Sequence, residues 1–178
     1  MDATEDAASR RPDAPGGTRL HFDSSSKPPL AYAIDLDGAL GDTRLLWQDW
    51  LAAAARVLPV DVEQLPEDRG AAATALDAEA GNWRALLERF AEERAPVYLR
   101  PHAETSAALR RLEAAGAQLG VYTDAPLELA RVALAQLGAS RRISVVEAGA
   151  GAIDRLLVEL GDRATVVRVR EELVLAAG

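Results

Sequence analysis

Two carboxylates one residue apart, Asp35 and Asp37, carry the strongest chemical signal in this chain. They follow the apolar run Leu30-Ala31-Tyr32-Ala33-Ile34 and precede Gly38-Ala39-Leu40. The run reads as a short buried strand, along which side chains i and i+2 share a side. Asp35 and Asp37 are therefore expected next to each other where that strand ends. Two like charges this close do not both ionise cheaply, so the pair calls for a cation or a catalytic role. Thr123 leaves a second apolar segment in Val121-Tyr122-Thr123-Asp124. An aspartate nucleophile, a carboxylate two residues on and a neighbouring hydroxyl suit phosphoryl transfer through an aspartyl-phosphate.

The elements that must position these groups follow from hydrophobic periodicity. Residues 1–29 mix Asp, Arg, Pro, Gly and Ser without a period and read as a disordered tail. After the first strand, Asp42 is placed to cap a helix with a Leu46, Trp50, Ala54, Val57, Leu58 stripe, broken by Pro59. Residues 68–80 are alanine-rich and read as helical. Asn82 is placed to cap a further helix bearing Trp83, Leu86, Leu87 and Phe90. From Pro101 the pattern alternates: helix 103–115, strand 118–122, a helix from Pro126 to Gly138, strand 142–146, a helix closed by Gly161, strand 165–169 and a last short helix. Strands separated by helices imply right-handed crossovers and a parallel sheet. The expected architecture is an α/β three-layer, Rossmann-like sheet ordered 4-1-2-3. A helical cap over 42–96 would interrupt a core made of 30–41 and 97–178.

Composition narrows the function classes. A net charge of -8 argues against nonspecific binding to nucleic acid or anionic membranes. It also repels phosphorylated substrates unless the site carries its own positive charge. With no cysteine, thiolate metal sites and thiol nucleophiles are excluded. No run reaches membrane-spanning length and no secretory signal pattern opens the chain, so the expected location is the cytoplasm. The only lysine is Lys27, in the tail.

Asp35-Leu36-Asp37-Gly38-Ala39-Leu40-Gly41-Asp42-Thr43 resembles the first motif of the haloacid dehalogenase superfamily, Asp-x-Asp-Gly-Thr-Leu-x-Asp-Thr/Ser. Tyr98 to Gly116 is similar to the segment by which that family returns from its cap, and Gly120-Val121-Tyr122-Thr123-Asp124 to its second motif. The likeness spans roughly 31–177 and is nearest to the phosphoglycolate phosphatase-like branch with a helical cap. It implies a hydrolase acting on a small phosphorylated metabolite, with Asp35 as nucleophile and Asp37 as general acid/base. Thr123 would bind the phosphoryl group, and magnesium would sit on Asp35 and the backbone carbonyl of Asp37. Asp124 would either meet the ligand or cap the helix after it.

The departures are specific. The third motif of that family supplies a cation, which here only an arginine such as Arg141, Arg142 or Arg155 can provide. The fourth motif places Gly-Asp after the fourth strand and another Asp four residues later; Arg168, Val169 and Leu173 fall there instead. That removes a hard oxygen ligand suited to magnesium. Glu171 and Glu172 are left as substitute metal ligands, or Arg168 as a cation in the metal's place. The alternative implied by these losses is a catalytically inactive relative, a pseudoenzyme that binds or regulates.

Overall fold

A computed structural model describes residues 30–178; the tail expected over 1–29 lies outside the described residues. The first strand, β1 (Ala31–Asp35), is flanked by β2 (Gln118–Thr123) and β4 (Thr165–Val167), with β3 (Val145–Ala148) beyond β2. All pairings are parallel and the sheet order is β3-β2-β1-β4. Seven helices complete the described chain: α1 (Arg44–Ala54), α2 (Arg69–Glu79), α3 (Trp83–Tyr98), α4 (Ala103–Ala114), α5 (Leu127–Gln136), α6 (Ala152–Leu160) and α7 (Arg170–Ala176).

Strand alternation assigns the two faces. Ile34, Leu119, Val121 and Val167 point into the larger core with Leu109 and Leu112 of α4, Leu129 and Ala133 of α5 and Leu173 of α7. Ala33, Tyr122, Val145 and Val166 point the other way, onto Leu156 and Leu160 of α6. Steps from β1 to β2 to β3 run in one direction, so right-handed connections put α4 and α5 on one face. The return from β3 to β4 reverses direction and carries α6 to the opposite face. Gly120 makes that approach possible, because a Cβ there would lie 2.6 Å from Leu156 Cδ1.

Two strands differ from expectation by more than one residue at an end. Strand β3 begins at Val145 rather than at 142, since its ladder starts where Val145 meets Gly120 and must reach Thr123 through Ala148. Strand β4 stops at Val167 because Glu172 Oε2 takes the amides of Arg168 (2.6 Å) and Val169 (3.3 Å), drawing both out of the ladder.

Helices α1 to α3 all lie between β1 and α4. Their packing centres on three tryptophans: Trp50 stands 4.9 Å from Trp47 and 5.7 Å from Trp83 between ring centroids. Trp83 Nε1 donates to Asp77 Oδ1 at 2.9 Å, satisfying the one polar group of an otherwise fully buried ring. Arg84 ties this unit to the core by bonding both Asp77 of α2 and Glu128 of α5.

Candidate functional site

Strand β1 ends at Asp35, and the chain then makes one wide helical turn, Leu36–Leu40, closed by Gly41 N donating to Leu36 O at 2.9 Å. That is an i to i+5 bond, one residue wider than an α-turn. Asp37 therefore sits on the turn rather than on the strand. It neighbours Asp35 because the turn folds its amide back onto that carboxylate, and strand alternation plays no part. Asp35 Oδ1 accepts from the amides of Asp37 (2.9 Å) and Gly38 (3.2 Å). Its second oxygen has no hydrogen-bond donor among the described residues. Burial pushes the Asp35 carboxyl above its ordinary value, the Gly38 amide works against that, and the charge of Asp37 adds to it. Gly38 has no room for a side chain, since a Cβ would overlap the carbonyl oxygen of Arg168. The exit of β4 thus runs directly over the turn.

Asp37 is held on both oxygens. Oδ1 accepts from Thr43 N at 2.7 Å and Thr43 Oγ1 at 2.6 Å. Oδ2 accepts from Thr123 Oγ1 at 2.8 Å and from Arg69 Nη2 at 2.6 Å. Arg69 is the first residue of α2 and is buried. Its Nε and Nη2 grip both carboxylate oxygens of Asp124, and Nη1 donates to Thr43 Oγ1 at 2.7 Å. Burial opposes the charge on both Arg69 and Asp124, but their pairing outweighs it. Asp124 is held below the ordinary carboxyl value and Arg69 above the ordinary guanidinium value.

Local sequence explains how Arg69 gets there. Asp68 caps α2 by accepting from Ala71 N at 2.7 Å, fixing where the helix starts. Gly70 then lets the first turn press against the loop after β3, where a Cβ would overlap the backbone nitrogen of Ala150. With the helix so close, the Arg69 side chain reaches the carboxyl edge of the sheet. In parallel α/β sheets that edge is where ligands bind.

The structure gathers four of the expected residues: Asp35, Asp37, Thr123 and Asp124. It does not bring Arg141 or Arg142 to them. Both precede β3, so they lie at the edge where strands begin, opposite the site. Arg142 Nε instead lies 3.1 Å from Glu113 Oε2 at the end of α4, while Arg141 is exposed. Arg155 bonds the carbonyls of Ala148 and Ala150 and the Glu147 carboxylate. Glu172 is turned onto its own helix start, as described above, and Glu171 is exposed. Two residues that bond the site were not expected there, Arg69 and Thr43. Thr43 stands at the start of α1, but its hydroxyl serves Asp37 rather than capping the helix; Asp42 bonds Arg44 instead. Asp124 likewise forms no cap, since α5 starts after Pro126 without a side-chain bond.

The donor set bears on the expected magnesium. Asp35 offers one unengaged oxygen, whereas both Asp37 oxygens and the Glu172 Oε2 are already bonded. Among the described residues no three His, Cys, Asp or Glu side chains are grouped to hold a metal ion. Magnesium is commonly held by one or two carboxylates and several waters, and the unengaged Asp35 oxygen is the side-chain atom of this set left open to such an ion. No helix of the described residues is long and apolar enough to cross a membrane. No family model matches the chain, and no curated protein matches it.

Proposed function

We propose that this protein is a haloacid dehalogenase-like hydrolase that acts on a small phosphomonoester in the cytoplasm, with α1 to α3 as a cap on a Rossmann-like core. The observation that carries the reading is Asp35 itself. It stands at the carboxyl end of the central strand, with one oxygen fixed by two backbone amides and the other unengaged. A fixed carboxylate with one unengaged oxygen is what an in-line nucleophile needs. Attack would form a bond from Asp35 Oδ2 to phosphorus and break the bond to the leaving oxygen. Asp37, two residues on, accepts on both oxygens in the free protein, so it would first take up a proton on Oδ2 as Thr123 turns to the phosphoryl group. It would then give that proton to the leaving oxygen and recover one from the water that cleaves the aspartyl-phosphate. Thr123 stands at 2.8 Å from Asp37, close enough to orient it or to meet a phosphoryl oxygen in its place.

A second reading rests on a different observation. Every oxygen of Asp37 is already bonded to Thr43, Thr123 or Arg69, which is the arrangement of a structural carboxylate. In that case the chain is a catalytically inactive binding or regulatory protein. The two readings separate in one assay: release of phosphate from a generic aryl phosphate at high protein concentration, with and without magnesium. The hydrolase reading expects turnover by wild type and loss to background in Asp35→Asn. Wild type and Asp35→Asn that behave alike under all divalent metals tested would overturn it.

A further inference from the structure

The net charge of the site conflicts with an anionic substrate. Asp35, Asp37 and Asp124 face a single buried cation, Arg69, and that cation is already bonded to two of the three. The two bonded carboxylates are not held alike. The Asp37 side chain is 11% exposed and anchored by Thr43 and Thr123 as well as by Arg69. The Asp124 side chain is 45% exposed, and among the described residues no side chain other than Arg69 bonds it. It meets Arg69 side-on through Nε and Nη2, the two-pronged geometry by which guanidinium groups also take phosphate oxygens. Asp124 lies between β2 and α5, outside both elements, and its carboxylate already borders solvent.

We infer that the Nε and Nη2 edge of Arg69 is a binding site for a phosphoryl dianion, and that the Asp124 carboxylate is an internal placeholder filling it. Choosing phosphate as the ligand rests on the reading above; the placeholder relation itself does not depend on turnover. When the dianion enters, Asp124 swings out and Arg69 keeps its bond to Asp37. One negative charge leaves the site as another group of charges arrives. The arrangement also rejects neutral analogues, which cannot displace an ion-paired carboxylate. Arg69 would then supply from α2 the positive charge that no residue before β3 brings to this edge.

The test is equilibrium binding of inorganic phosphate by calorimetry at fixed ionic strength, in wild type, Asp124→Asn, and Asp124→Asn combined with Arg69→Gln. Emptying the placeholder is expected to tighten phosphate binding at least tenfold, and removing the guanidinium is expected to abolish the gain. If Arg69→Gln does not fold, as judged by circular dichroism, Arg69→Lys takes its place: it keeps the charge, loses the fork, and should lose most of the gain. Asp124→Asn binding phosphate no better than wild type overturns the inference, as does a gain that survives loss of the guanidinium. Tightened binding in a protein that hydrolyses no aryl phosphate leaves the placeholder standing and removes only the hydrolase reading.

Discussion

Replacing Arg69 by Met tests whether one side chain pins the α1–α3 unit to the site. Met has a similar stem and no charge, so the change removes the guanidinium while keeping most of the packing. Breaking a buried ion pair from one side costs about 3–5 kcal/mol, because the partner charge stays buried without compensation. Two features place this case at the low end. Asp37 keeps three donors, Thr43 N, Thr43 Oγ1 and Thr123 Oγ1, and the half-exposed Asp124 regains water. The expected loss is therefore about 3 kcal/mol, or roughly 6–12 °C in Tm for a domain of this size. Urea unfolding followed by tryptophan fluorescence measures it, since Trp47, Trp50 and Trp83 all lie in the unit that Arg69 anchors. Adding Asp37→Asn removes the orphaned charge, so the double variant should be less destabilised than the two single losses summed. An Arg69→Met protein within about 1 kcal/mol of wild type, below even the low end for a broken buried pair, or a strictly additive double variant, would refute the argument.

Two further outcomes follow from the same geometry. Gly70→Ala improves intrinsic helix propensity by about 1 kcal/mol, yet its methyl overlaps Ala150 and overpacking costs about 1–3 kcal/mol; the net effect on thermal unfolding should be a loss, and a rise in Tm would contradict the close approach of α2. Asp35 holds its proton more tightly folded than unfolded, so its ionisation costs stability as pH rises from the unfolded value of 3.8 through the higher folded one. In chelator-containing buffer Asp35→Asn should therefore unfold at a higher temperature than wild type at pH 7, and the difference should disappear at pH values well below 3.8; equal stability of the two proteins at neutral pH would show that Asp35 bears no such cost.

How much of this was legible beforehand depended on the range of the interaction. Strand β1 and its terminal acid could be read because a short apolar run ending in a carboxylate is a local pattern. Helix α2 was legible from alanine content, expected over 68–80 and observed over Arg69–Glu79. The role of Arg69 was not, since it bonds residues 26, 32, 54 and 55 positions away and nothing local singles it out. One weak signal existed: a glycine in the first turn of an alanine-rich helix is unfavourable unless something packs against it. The positions of Arg141 and Arg142 could have been anticipated from topology alone. In a parallel sheet, residues just before a strand emerge at the edge opposite the residues just after one, so a cation sought near Asp35 had to follow a strand or come from the segment inserted after β1.

That constraint sharpens the contrast between the two carboxylates of the first turn. Asp35 is half-buried, carries a raised proton affinity and leaves one oxygen without a protein donor, a combination that clusters at functional sites. Asp37 is the reverse, bonded on both oxygens by groups from three separate segments, Thr43, Arg69 and Thr123, so that it knits the inserted helices to the sheet. A site retained for packing alone would satisfy Asp35 as it satisfies Asp37. The asymmetry is the reason to look for a ligand at Asp35.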